Sequence, residues 1–335
     1  MADNTQPTAP GKQGPEWTLE DPGDPWRASV PLRTPAPRPL PAGPATRAAL
    51  ATAALLAFPM HAQAQENRFE DLFSSYLGAN ASGYLAPLAQ VVTGSLNSGF
   101  VRPSPRAEGM TFRLDIQAAT ALVSNSQQEF LATTEEGFSP QTTTAAPTIL
   151  GKSSAVRVPG EGGTAYIFPA GLAVQRVVIP IPQLTVGWGG SDASVRWVGV
   201  DIQDVGRLDL LGVGARHRIS RYLPELPVEL TVGVIHHSVT LDEELDLSTT
   251  LASVQVGRPS GAFDLYGGVG WEFSSGNVRY DPSDPEESDV EVDLEGVSGP
   301  RATAGVAFGR SLFTLSADIT LGTQNVFTFG VGIGR

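Results

Sequence analysis

The sequence predicts an all-β fold, a transmembrane antiparallel β-barrel of about twelve strands within a range of ten to fourteen, preceded by a short N-terminal helical segment. Three observations predict it. From residue 109 onward apolar side chains alternate with small or polar ones. Many of these segments reach the roughly 9–11 residues that a tilted strand needs to cross hydrocarbon. The face opposite the apolar one is Gly, Ser and Thr with isolated charges, which suits a crowded or water-lined lumen better than the solvated face of a soluble β-sandwich.

Composition narrows the function classes. The 335 residues carry 22 Lys+Arg against 35 Asp+Glu, a net charge of −13, so the basic footprint of a nucleic-acid binder is missing. The absence of Cys excludes disulfide frameworks, Cys-based metal sites and a thiol nucleophile. No stretch offers the roughly 18 consecutive apolar residues of a membrane-spanning helix, so a membrane role must use strands.

In chain order, residues 1–46 are Pro-rich, lack apolar periodicity and read as a disordered leader, a possible mis-assigned start. Residues 47–64 have the three regions of a signal peptide: Arg47, the apolar run Ala48–Phe58, and Ala62-Gln63-Ala64 before a cut at Gln65. Residues 65–108 form a helical plug or cap. Phe69, Leu72, Phe73, Tyr76 and Leu77, then Tyr84, Leu85, Leu88, Val91, Val92 and Leu96, recur at helical spacing, which predicts two short helices broken near residues 78–83.

Residues 109–335 form the barrel. Phe313, Leu315, Ala317, Ile319 and Leu321 alternate with polar residues, and Phe327, Phe329, Val331 and Ile333 do the same. Strands are expected near residues 109–123, 164–168, 172–179, 183–189, 193–200, 207–219, 228–240, 246–257, 262–279, 296–309, 312–322 and 325–335, with Pro169, Pro180 and Pro182 interrupting the second to fourth. Aromatics such as Trp188, Trp197, Tyr222, Phe308 and Phe313 sit toward strand ends, as interfacial girdles do. Connections alternate between short turns (residues 189–192, 220–227, 257–262 and 309–312) and long or acidic ones (124–163, 201–206, 241–246 and 281–296), as in barrels with short periplasmic turns and longer external loops.

Three stretches, FEDLFSSYLGANASGYLAPL, LNSGFVRPSPRAEGMTFRLDIQAA and IPIPQLTVGWGGSDASVRWVGVDIQDVG…LLGVGARHRIS, resemble an uncharacterised family of bacterial outer-membrane β-barrels, distantly similar to the FadL-type transporters of hydrophobic compounds. The resemblance covers about residues 66–335 and implies the barrel fold and the outer membrane. By looser analogy it implies uptake of hydrophobic solutes. The expected partners are outer-membrane lipids, the barrel-assembly machinery and a small or hydrophobic solute. Many such barrels end in an aromatic residue, whereas this sequence ends Gly-Ile-Gly-Arg335.

On the inward parity lie Arg113, Asp115, Arg196, Arg216, Arg218, Glu229, Asp264, Glu272, Arg301 and Asp318. They are the lumen-lining candidates, read either as a packed ion-pair network or as a constriction that selects solute. Gly267, Gly268, Gly270, Gly305, Gly330, Gly332 and Gly334 would permit close approach by a plug. Beyond the expected signal peptide the only histidines are His217, His236 and His237. Neither a Gly-x-Ser-x-Gly elbow nor a His-Glu-x-x-His motif is present, and His236 and His237 must point to opposite faces of a strand, so no enzyme, cofactor or metal site is expected. The acidic run around Asp281–Glu295 lacks calcium-loop spacing and reads as a solvated loop. The leading expectation is a passive outer-membrane channel or transporter for small or hydrophobic compounds. The alternatives are a structural or adhesive barrel and, after it, a lipid-acting enzyme.

Overall fold

The computed structural model describes residues 79–103, 109–202, 206–241, 245–280, 290–294, 296–310 and 312–334. The expected signal peptide, the Phe69–Leu77 stripe and most of the acidic run lie outside them. Helix α1 (Ala79–Leu96) is followed by β1 (Thr111–Leu122) and two small hairpins, β2 (Glu129–Thr133) with β3 (Thr143–Pro147) and β4 (Val156–Pro159) with β5 (Ala165–Phe168). Then come β6 (Arg176–Trp188), β7 (Ser191–Ile202), β8 (Gly206–Arg218), β9 (Glu229–Leu241), β10 (Leu245–Ser260), β11 (Phe263–Tyr280), β12 (Val290–Leu294), β13 (Ser298–Arg310), β14 (Phe313–Leu321) and β15 (Val326–Gly334).

Ten of these strands close on themselves. Going round, β1 pairs with β6, β6 to β11 follow in sequence, β11 pairs with β13, and β13, β14 and β15 lead back to β1, every pair antiparallel. Closure removes the unpaired edges that hydrocarbon would not tolerate. The remaining strand, β12, continues along the end of β11 beyond β13.

Ten strands lie inside the expected range but below the expected twelve. Residues 164–168 belong to the β4–β5 hairpin outside the barrel, and the segments expected at 172–179 and 183–189 are one strand, β6. The reason is the side on which each proline presents its missing donor. The β6–β7 turn, Gly189-Gly190, has φ of 59° and 81°, the left-handed pair of a primed two-residue hairpin. From its closing pair, Trp188 and Ser191, every second residue of β6 directs its N–H at β7, which includes positions 182 and 180. Pro182 and Pro180 therefore remove donors only on the β7 side. The β6–β7 ladder stops at Gln183 and Arg196, while β6 stays paired with β1 from Arg176 to Gly187. A seam is left between residues 176–182 of β6 and 197–202 of β7.

Burial is inverted relative to a soluble protein. Phe327, Phe329, Val331 and Ile333 face outward and are exposed, while Thr328, Gly330 and Gly332 between them are buried. Phe263, Leu265, Val269, Trp271 and Phe273 repeat this on β11. Outward apolar and inward polar parity follows from a hydrocarbon solvent around the wall.

At one end of the barrel sit the turns after β6, β10 and β13 and a connection after β8 that holds one turn of 3-10 helix, Ile219–Tyr222. At the other sit the long β1–β6 connection, β12 and the brief links after β7, β9 and β14. The two hairpins cap this long-loop end, joined by contacts such as the edge-to-face pair Phe138–Tyr166, with centroids 5.6 Å apart. Burial and then Glu135 push the Tyr166 hydroxyl up to about 12.

Helix α1 enters beneath this cap. The Asn80 side chain and the Thr133 backbone exchange two hydrogen bonds of 2.7 and 3.1 Å, the Ile149 N–H donates to the Tyr84 carbonyl at 3.1 Å, and the Tyr84 hydroxyl donates to the Ala170 carbonyl at 3.0 Å. The helix runs through Gly83, where the Phe130 ring of β2 lies in the space a side chain would fill, while the first of the two expected helices lies outside the described residues. Its apolar residues Tyr84, Leu85, Val91 and Leu96 join inward residues of the upper strands, including Ile181, Leu210, Val239 and Leu247, in one buried cluster. The hydrophobic core therefore lies inside the long-loop half of the barrel.

The outward face predicts a depth-dependent response to charge. Phe329→Arg, midway along β15 and between outward-facing Ala118 and Ala317, should destabilise folding into vesicles by about 2–4 kcal/mol in urea titrations. Thr240→Arg, outward beside Asp209 and Asp246 at the long-loop end, should cost close to nothing in the same assay.

Candidate functional site: the gripped lumen

A helix leaves its last carbonyls without intrahelical donors, and their partial negative charge attracts cations. Helix α1 has no basic residue in its last turn, so those charges must come from elsewhere. The barrel wall supplies them. Arg301 on β13 donates to the Gly94 carbonyl at 2.9 Å and to the Ser98 hydroxyl at 2.8 Å, while Arg196 on β7 donates to the carbonyls of Leu96 and, at 3.1 Å, Ser98. Gly99, at φ 67°, turns the chain against Gln117, and the backbone then continues through the lumen. Farther on, Arg216 on β8 donates to the carbonyls of Phe100 at 3.3 Å and Arg102 at 2.8 Å.

Carboxylates of the wall balance two of these arginines. Arg301 pairs with Glu272, which also accepts from Asn97 at 3.1 Å and from the Thr323 hydroxyl. Arg216 and Asp192 form a two-pronged pair at 2.8 and 3.0 Å. Arg196 donates to Gln183 at 2.7 Å. The plug's own Arg102 pairs with Asp115 at 3.0 Å and donates to Thr185 at 2.8 Å, and Arg113 also reaches Asp115, at 3.1 Å. Arg218 and Glu229 lie 3.8 Å apart near the short-turn end. Asp318 accepts from the Tyr266 hydroxyl at 3.0 Å, and Asp264 is half-buried on the same parity of β11 as Tyr266. Arg113, Asp115, Arg196, Arg216, Glu272 and Arg301 thus meet around one threaded segment, residues 94–102. Arg218, Glu229, Asp264 and Asp318 stand apart from it.

Glycines allow this fit at particular places. Side chains at Gly214 and Gly233 would come within 2.9 and 3.1 Å of the Phe100 ring, and one at Gly268 within 3.0 Å of Val101. The Arg216 guanidinium in turn lies 5.7 Å from the Phe100 ring centroid.

Several contributors escaped the parity reading. Asp192 falls in the segment expected as a turn, although it is inward on β7. Arg102 and Asn97 belong to the plug, where no strand period marks an inward side. Neutral partners such as Gln183 and Tyr266 carry no charge signal. His236 faces outward and hydrogen-bonds Thr250 at 2.8 Å, whereas His237 is fully buried in the lumen, so the two share no site.

A closed antiparallel barrel with an apolar outer wall, a charged and polar lumen and its two longest connections at one end defines a bacterial outer-membrane β-barrel protein. Residues 46–335 match a family of unknown function, DUF6588, and the chain belongs to that family. No curated protein matches the sequence. Among solved structures it is similar to Neisserial surface protein A, at 11% identity and TM-score 0.27 over 68% of this chain and 96% of that one. It is also similar to the transport unit of the autotransporter AIDA-I from Escherichia coli, at 12% identity and TM-score 0.32 over 77% of this chain and 98% of that one. A deletion mutant of the monoaromatic hydrocarbon channel TodX matches at 9% identity and TM-score 0.22 over 74% of this chain and 93% of that one. At these scores the barrel's own geometry carries the assignment.

Glu272→Ala should cost about 3–5 kcal/mol of stability by leaving the Arg301 charge buried and unpaired. The double variant Glu272→Leu with Arg301→Met should recover much of that loss, read as the urea midpoint of the barrel in detergent.

Proposed function

We propose that the protein is a passive channel for small hydrophobic compounds whose route passes through the wall rather than along the full lumen. The observation that carries this reading is the seam between β6 and β7. Prolines 180 and 182 keep the ladder from closing there, and behind it Val177, Ile179, Val198 and Leu208 line the apolar long-loop half of the lumen. Below that chamber the gripped segment 94–102 blocks the axis with buried charges, a poor path for an apolar solute. An apolar solute entering beneath the cap would meet apolar surface continuously as far as the hydrocarbon. The occupied lumen favours a second reading, a structural or adhesive barrel that passes nothing.

Vesicles containing the protein should take up the dye N-phenyl-1-naphthylamine several-fold faster than protein-free vesicles. Pro180→Val with Pro182→Val, which restores both donors toward β7, should bring the rate back toward the protein-free value while heat-modifiable gel mobility is kept. Equal rates with and without protein would leave the structural reading.

For the part of the chain before the helix we infer that residues 47–64 are a signal peptide cut by the export machinery. The membrane-inserted protein should then have the intact mass of Gln65–Arg335; a mass retaining Ala48–Phe58 would mean an anchor.

A further inference from the structure

The outer wall is not evenly clad. Across adjacent strands one outward row runs Val186, Ala193, Ala215, Val234, Ala252, Trp271. The neighbouring row toward the short turns runs Trp188, Ser191, His217, Val232, Val254, Val269. Three alanines in a belt of large residues leave a depression, an apolar groove of about 1050 Å³ with Trp188 and Trp271 at its two sides.

Where the groove meets the short-turn end its lining becomes polar. The Ser191 hydroxyl and His217 Nδ1 are 2.8 Å apart, and the His217 ring lies 5.6 Å from that of Tyr222. The Arg221 guanidinium lies over the other aromatic contact, 5.4 Å from the Tyr222 centroid, and Arg221 makes no ion pair among the described residues. Unlike the arginines of the lumen, it presents an exposed positive charge beside an apolar channel.

We propose that this groove is a seat for one phospholipid, with an acyl chain on the Ala193, Ala215 and Ala252 floor and its phosphate on Arg221, assisted by His217 and Ser191. Charge selects this occupant. A guanidinium matches phosphate geometry through paired donors, and a desolvated acyl chain adjoins it. Short turns of outer-membrane barrels face the periplasm, so the lipid comes from the phospholipid leaflet on that side. The lipopolysaccharide leaflet lies at the long-loop end, where the outer-surface arginines are already engaged, Arg207 by Asp209 and Arg279 by Asp246 and Glu291.

The test is native mass spectrometry of the full exported chain in mild detergent, with phosphatidylglycerol as the added probe. Wild type should hold one phospholipid at detergent levels that strip bulk lipid. Arg221→Gln should weaken retention at least tenfold, and Ala215→Leu, which fills the floor, should do so as well, with heat-modifiable mobility confirming folded barrels. Arg221 is exposed, so its variant decides the matter if Ala215→Leu fails to fold. Equal retention in wild type and Arg221→Gln would overturn the proposal by reducing the lipid to a non-specific annulus. Retained lipopolysaccharide in place of phospholipid, or full displacement by inorganic phosphate alone, would overturn it too.

Discussion

The interaction on which the rest of the structure depends is the capture of backbone carbonyls from residues 94–102 by arginines of the barrel wall. A charged lumen in a membrane protein is costly unless every charge is paired and hydrogen-bonded. Here Arg301, Arg196 and Arg216 find acceptors in a helix terminus and the chain beyond it, and Glu272 and Asp192 balance two of them. The plug needs the wall because α1 supplies no cation of its own, and the wall needs the plug because its arginines would otherwise lack acceptors. Barrel and plug are thus one electrostatic unit.

Two solvents divide the fold. Around the wall hydrocarbon selects large apolar side chains at alternate positions, and closure of the sheet leaves no open edge except at the β6–β7 seam. Inside, the long-loop half is a conventional apolar core completed by α1 and the cap hairpins, while the lower half is polar. This division explains how a helix with an apolar body and a terminus full of bare carbonyls fits inside a barrel. Each half of the lumen meets the part of the plug that it can solvate.

The wall differs locally from a uniform cylinder in two places, each traceable to a few residues. Two prolines interrupt the β6–β7 ladder without interrupting β6, because a strand's donors alternate between its two neighbours. Three alanines spaced across four strands thin the belt above a cluster of Trp188, His217 and Arg221. Both lie near β7, so the region with the weakest pairing adjoins the one with the shallowest cladding.

The sequence by itself determined the all-β class, the outward and inward parity, nine of the ten barrel strands to within a few residues, and the placing of the two longest connections at one end. It could do so because a two-residue period and a run length matched to the membrane are local properties, legible without knowing the partner strand. It also placed Arg113, Asp115, Arg196, Arg216, Glu272 and Arg301 on the inward face. Only the tertiary structure decided what they face. Prolines 180 and 182 read as strand breakers until the neighbour on each side was known. Arg102, Asn97 and Asp192 entered the site through contacts with Thr185, Thr249 and Arg216, each more than twenty residues away in sequence. The grip itself uses main-chain carbonyls, which every residue possesses, so no side-chain pattern could announce it; only closure of the barrel around residues 94–102 gave those carbonyls their arginines.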